Sequence, residues 1–231
     1  MLIYGKNPVI EALRASRKIE TIYLLDHLDE TFFEGYDIRG IRMEKKTRGQ
    51  MDALFPGVHQ GVGARVAPYD DVSLQHVLKK TKKKLFVMLD EITDPHNVGA
   101  IIRTAAAFKA DAVILQKRRG SAITPTVVKV SSGGIEHVDI VRVTNLNQTI
   151  ETLKKHDIWV VGAALDGDTT LENVPHEANL CLVLGSEGKG LRRLVRKHCD
   201  MTVNIPMLGE VESLNVSVAC GILLYDITRR R

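Results

Sequence analysis

Ile205-Pro-Met-Leu-Gly209-Glu-Val-Glu-Ser213-Leu-Asn215-Val-Ser-Val-Ala-Cys220-Gly-Ile-Leu-Leu-Tyr225 divides into a loop and a buried helix. Pro206 and Gly209 are turn residues, and most positions after Asn215 are small or apolar, as in a helix packed on most sides. Ser213 is the expected cap for the free amides at its start, which puts Ser213 and Asn215 at a helix N-terminus. The amides and positive dipole end there suit an anionic or carboxylate-bearing ligand. An ordinary C-terminal core helix has the same composition, so the segments upstream have to discriminate.

Moving outward, 85–231 reads as successive β/α units. Leu85 to Leu89 is a continuous apolar run, as in a strand buried on both faces of a parallel sheet. Thr93-Asp94-Pro95-His96-Asn97 breaks it. Val98, Ile101, Ile102, Ala105 and Phe108 then share one helical face, with Arg103 nearly opposite. Further strands are expected at 112–115, 138–141, 158–163 and 180–184, with helices at 146–156 and 191–197. Ligands of such an open sheet bind beyond the carboxyl ends of its strands, so the loops starting at Asp90, Leu184 and Ile205 are the candidates.

The N-terminal part reads as a smaller α/β unit over 1–69. Asn7-Pro8 opens a helix through Ala15, strands follow at 19–25 and 37–43, then a polar helix at 44–54 and a strand at 62–66. It carries two basic clusters, Arg39/Arg42 and Lys45/Lys46/Arg48. Between the two parts, 70–84 reads as a basic linker ending in Lys79-Lys80-Thr81-Lys82-Lys83-Lys84. This segment holds 5 basic against 2 acidic residues, whereas 85–231 is balanced at 17 against 17.

With 231 residues, 44% hydrophobic and 26% charged, the composition is that of a globular protein. A net charge of +4 and a pI near 8.9 permit a nucleic-acid partner without requiring one. The three cysteines match no metal spacing, so reduced thiols in a cytoplasmic protein are expected, with no metal site. No run is long enough to span a bilayer. Lys6, Glu11 and Arg14 interrupt the apolar pattern of the first residues, unlike a signal peptide.

Neither G-x-G-x-x-G nor G-x-x-x-x-G-K-[ST] occurs, which argues against the common nucleotide-binding loops. In their place stand Asn97-Val-Gly99-Ala-Ile-Ile-Arg103-Thr104, Leu184-Gly185-Ser-Glu187-Gly188-Lys-Gly190-Leu191 and the opening stretch. Glycines after a strand let main-chain groups face a ligand directly.

These three motifs, in this order, resemble those of the SpoU/TrmH branch of the SPOUT methyltransferases, which methylate a ribose 2′-hydroxyl of RNA using S-adenosylmethionine. The likeness covers 85–231. Tyr4-Gly5-Lys6-Asn7-Pro8-Val9 and His59-Gln60-Gly61 are similar to the RNA-binding domain of the subgroup that acts on a guanosine of large-subunit ribosomal RNA. The resemblance implies a C-terminal trefoil knot holding the cofactor, in an obligate homodimer. Carried over by position, Gly185, Ile205 and Leu214 would give main-chain contacts to S-adenosylmethionine. Asn97, Arg103, Glu187, Ser213 and Asn215 would be catalytic or ligand-orienting. A guanidinium stays protonated under ordinary conditions, so Arg103 is either a transiently deprotonated base or a cation that stabilises the developing alkoxide. A transfer-RNA substrate and a non-catalytic ribosome-assembly role are the rival readings, and intact cofactor loops oppose the second.

Overall fold

In the computed structural model, which describes residues 1–80 and 84–231, the chain opens with β1 (Leu2–Tyr4), α1 (Lys6–Arg14) and β2 (Ile19–Leu25). β3 (Arg42–Lys46), α2 (Arg48–Leu54) and β4 (Val62–Val66) complete a four-stranded sheet of order β1-β4-β2-β3. β4 is antiparallel to β1 and β2, and β3 runs parallel to β2. Two expectations need correction here. The second strand is not 37–43, because Asp37 folds Arg39 back on itself through backbone and side-chain bonds, and the residues that pair with β2 are 42–46. The helix begins at Arg48 rather than Glu44, since Thr47 and Gln50 form a reciprocal capping box. The basic clusters are also largely neutralised locally: Arg39 pairs with Asp37, Arg42 and Lys46 with Glu44, and Arg48 with Asp52.

The segment read as a linker contains α3 (Leu74–Lys80), in which Val77 and Leu78 are buried. Val72 donates its N–H to the Ile140 carbonyl, Arg142 holds Asp71 at 2.6 Å, and Lys80 holds Asp139 at 2.9 Å. Up to Lys80 this stretch is thus part of the larger unit's packing, while Thr81, Lys82 and Lys83 of the lysine run lie outside the described residues.

The larger unit runs β5 (Leu85–Asp90), α4 (Pro95–Ala107), β6 (Ala112–Gln116), α5 (Pro125–Ser131), β7 (Asp139–Val143), α6 (Leu146–Lys154), β8 (Ile158–Ala163), β9 (Asn179–Gly185), α7 (Arg193–His198), β10 (Met201–Val203) and α8 (Val216–Arg229). Its six strands are all parallel, in the order β10-β8-β9-β5-β6-β7. Side chains of β5 alternate across the sheet. Leu85, Val87 and Leu89 pack with buried residues of α4, α5 and α8, whereas Phe86 and Met88 pack with those of α3, α6 and α7. From the central β5 the chain moves to β6 and β7, then returns to the other side, so strand order reverses between β5 and β9. A doubly wound sheet usually takes its ligand in a crevice at the carboxyl ends of the strands where the order reverses. Here the cavity is displaced to the far side of β9, beyond β8, β9 and β10.

The two sheets share one apolar cluster, which runs from Ile3 and Val9 to Val98 and Val127. A polar clamp adds to it. Glu136, its side chain 2% exposed, accepts two bonds from Arg17 Nε and one from the Tyr69 hydroxyl at 2.6 Å, with the Arg17 guanidinium 3.7 Å over the Tyr69 ring. Burial, then the adjacent carboxylate, pushes the Tyr69 hydroxyl far above its ordinary pKa, so it remains a donor. Among the described residues no helix is long and apolar enough to cross a membrane.

Candidate active site and cofactor cavity

At the carboxyl ends of β8, β9 and β10 three loops enclose a cavity of about 490 Å3, within the usual range for small-molecule sites. Gly185, Glu187, Ile205, Ser213, Leu214 and Asn215 all line it. The loop after β9 is tightly folded: Ser186 and Gly190 form an isolated bridge, with the Gly190 N–H donating to the Ser186 carbonyl at 2.8 Å. A Cβ on Gly185 would fall on the carbonyl group of Gly190, so no side chain fits there. Gly188 and Gly190 have φ of +79° and +61°, which glycine adopts without strain. With three glycines in the wall, main-chain amides and carbonyls of this loop are open to a ligand beside the side chains of Glu187 and Lys189.

Asp90 anchors the loop from below. It is fully buried at the end of β5 and accepts from the Arg192 backbone N–H at 2.9 Å and from Arg192 Nε at 2.6 Å. Arg192 also reaches Gln116 Oε1 at 3.3 Å and thereby ties the ends of β5 and β6 to the residue after the glycines. Sequence reasoning missed this pair. The available signal was an aspartate closing an otherwise apolar buried strand, because a buried carboxylate needs a partner.

Asp94 caps α4 by accepting from the Asn97 N–H at 2.9 Å, with Pro95 in the first turn. That frees the Asn97 side chain, which is buried, to face the glycine loop. Its Nδ2 donates to Glu187 Oε1 at 3.2 Å, and its Oδ1 accepts from Asn215 Nδ2 at 2.9 Å. Asn215 Nδ2 also donates to Glu187 Oε1 at 2.6 Å. One carboxylate therefore joins the starts of two helices. Asn215 Oδ1 meanwhile accepts from Ser217 N at 2.9 Å and Val218 N at 3.4 Å. Asn215, not Ser213, is thus the cap of α8; Ser213 lies two residues ahead of it, exposed, on the cavity wall.

Arg103 is not brought into this cluster. It lies six residues beyond Asn97, roughly 9 Å along the helix axis, exposed on the outer side of α4 as its spacing predicted. Across the cavity, Arg196 of α7 holds Asp166 at 2.7 Å and keeps that carboxyl below the ordinary aspartate range. Among the described residues no three His, Cys, Asp or Glu side chains gather as metal ligands would.

Residues 84–225 match the SpoU rRNA Methylase family, and residues 2–72 match the family of RNA 2′-O ribose methyltransferase substrate-binding domains. The chain belongs to the SpoU methylase family. Among its relatives is YacO of Bacillus subtilis, named as a TrmH family tRNA/rRNA methyltransferase, 40% identical over 99% of this chain and 95% of that protein. The SpoU methyltransferase AviRb of Streptomyces viridochromogenes, solved in complex with AdoMet, superposes with a TM-score of 0.84 at 27% identity, over 100% of this chain and 90% of its own. The A. aeolicus TrmH/SpoU tRNA modifying enzyme gives 0.59 at 30% identity, over 68% of this chain and 80% of its own. As a SpoU methylase the chain is an RNA methyltransferase, and the family's methyl donor is S-adenosylmethionine. The cavity is of a size to hold that molecule, and its glycine wall suits one bound through main-chain groups.

Proposed function

We propose that this chain methylates a ribose 2′-hydroxyl of ribosomal RNA, at a guanosine of the large subunit, as a cytoplasmic homodimer. The observation that carries the reading is the meeting of Asn97, Glu187 and Asn215 at the edge of a glycine-walled cavity, from three segments far apart in sequence. Main-chain groups of Gly185, Ile205 and Leu214, all on the cavity wall, would hold the cofactor. When bound, S-adenosylmethionine supplies an electrophilic methyl group for in-line displacement by the ribose oxygen.

The chain's own residues then have to position that oxygen and deal with its proton. Glu187 fixes the amides of Asn97 and Asn215, which sets the geometry between α4, α8 and the glycine loop. Ser213, exposed on the wall with its hydroxyl available, orients a bound group. Arg103, exposed on α4 outside the cluster, fits a ribose that approaches from the α4 side. There a cation favours the developing alkoxide, while the base role requires transient loss of its proton.

Support for a ribosomal substrate comes from the match of 84–225 to a family described as rRNA methylases and from the tRNA modifying enzyme's shorter coverage of this chain. Support for a dimer comes from Val218, Ile222 and Tyr225, exposed at i, i+4 and i+7 along one face of α8. A C-terminal knot is what the family resemblance implies, and the loop after β8 and the end of β10 meet closely there, where a Cβ on Gly167 would fall on the backbone of Val203 and Asn204. The three cysteines, all free, accord with a reducing cytoplasm. Incubation with labelled S-adenosylmethionine and undermodified ribosomal or transfer RNA, followed by mapping of the modified nucleotide, tests the proposal. Label confined to transfer RNA would overturn the substrate assignment.

A further inference from the structure

The smaller unit has a cavity of its own, about 420 Å3, between the end of β2, the start of α2 and the loop 57–61. Leu25 and Leu28 line it beside His27, Arg48, Val58 and Gln60. Val58 is 74% exposed, so together with Leu25 and Leu28 it leaves apolar surface open to a ligand at the mouth of the cavity. The loop is held in shape by buried His59, whose Nε2 meets Asp52 at 3.0 Å and whose Nδ1 accepts from Gly61 N at 3.0 Å. Gln60 takes a left-handed φ of +56°, and its Oε1 accepts from the Lys6 N–H at 3.1 Å and from Lys129 Nζ at 3.2 Å.

Lys129 comes from α5 of the larger unit. It is half-buried, and among the described residues no carboxylate is paired with it. Desolvation alone lowers its pKa, as for a cation that lacks a counter-charge. α5 in turn packs under the catalytic-side helix, where a Cβ on Gly99 would collide with Val130 and the Val127 carbonyl. A ligand touching both the loop and Lys129 is therefore one helix away from Asn97.

We propose that this cavity takes an unstacked base of single-stranded RNA, with Lys129 bonding an adjoining phosphate, and so fixes the substrate relative to α4. An aliphatic floor with imidazole and guanidinium planes at its edge is the chemistry that receives a splayed base. The Lys129 ammonium, bonded to Gln60 Oε1 beside the cavity and with no carboxylate partner among the described residues, adds a second cation to the Arg48 guanidinium on the cavity wall. This rests on the chain being an RNA enzyme and adds where a non-target nucleotide sits.

The test uses full-length protein and a mixed-sequence twelve-nucleotide single-stranded RNA carrying 4-thiouridine, cross-linked by light and mapped by mass spectrometry, with affinity followed by fluorescence anisotropy. Cross-links are expected on 57–61. One phosphate contact on a single strand corresponds to a slope of about 0.7 in log affinity per log unit of salt, or about fivefold at 0.1 M. Lys129→Gln should lose that factor and that slope, with Lys129→Arg restoring both. Val58→Asp, at an exposed position, should weaken binding at least fivefold without changing cofactor affinity. Arg39→Gln, already paired with Asp37, should change it less than twofold. Cross-links confined to other surfaces, unchanged affinity in Lys129→Gln, or equal competition by the matching duplex would each overturn the site. If cross-links fall on 57–61 but no RNA is ever methylated, the base site stands and the catalytic reading fails.

Discussion

Replacing Asn215 by Asp separates the two tasks of that side chain. The carboxylate keeps the acceptor that caps α8 through Ser217 N and Val218 N, and it sits at the positive end of the helix dipole. It loses the Nδ2 donor, which lies 2.6 Å from Glu187 Oε1, and puts a second negative charge there. Two unit charges 3 Å apart repel by about 5 kcal/mol at an effective dielectric of 20. Both groups are exposed, and solvent screening reduces that to about 1–2 kcal/mol. The lost hydrogen bond to a charged acceptor costs about another 1.5 kcal/mol. The expected destabilisation near pH 7.5, measured by urea denaturation, is therefore about 2.5–3.5 kcal/mol, with a large loss of methyl transfer. The sign of the pH dependence follows from like-charge repulsion, which raises the pKa of the pair in the folded state above its unfolded value. A carboxyl with a raised folded pKa is stabilising when protonated, so stability should recover as pH falls from 7 towards 5. Adding Glu187→Gln removes one charge and supplies a donor, and the double variant should regain at least about 1 kcal/mol over the sum of the single changes. Wild-type stability and turnover in Asn215→Asp, or no coupling with Glu187→Gln, would refute the role given to this contact.

Gly185→Ala places a methyl group against the Gly190 carbonyl, so calorimetry should show cofactor affinity reduced more than tenfold in a variant that still folds. Arg103→Ala and Arg103→Lys should both lose methylation at nearly unchanged cofactor affinity, because Arg103 lines no part of the cavity and an ammonium does not reproduce the planar fork. Asp90→Ala leaves Arg192 without its buried acceptor and should cost about 3 kcal/mol in denaturation, with weaker cofactor binding as the glycine loop loosens.

The larger sheet was legible because its strands are short apolar runs ended by turn residues, and 158–163 was read with its observed bounds. β10 was missed because three residues carry no periodicity, and α5 because Thr124-Pro125, a cap and first-turn signal, went unused. In the smaller unit the error at 37–54 came from judging a charged strand by its own composition. Arg42 to Lys46 is extended because β2 offers a parallel partner, which is a tertiary effect. The site candidates were named through the resemblance and the glycine spacing, and the structure gathers Asn97, Glu187 and Asn215 while leaving Arg103 apart. The cap of α8 was misplaced by two residues, since Ser and Asn are both good caps and only the backbone path distinguishes them. Contacts between distant segments, Asp90 with Arg192 and Arg17 with Glu136, leave no local pattern in sequence.

Methyl transfer to ribose has a chemical signature that base methylation lacks, because a 2′-O-methyl group blocks alkaline cleavage of the adjoining phosphodiester. Undermodified large-subunit ribosomal RNA would be labelled with this protein and radioactive S-adenosylmethionine, hydrolysed in alkali, and the products separated by size. Label in an alkali-stable dinucleotide beginning with guanosine is the predicted result. Label only in mononucleotides, or none in RNA at all, would contradict it.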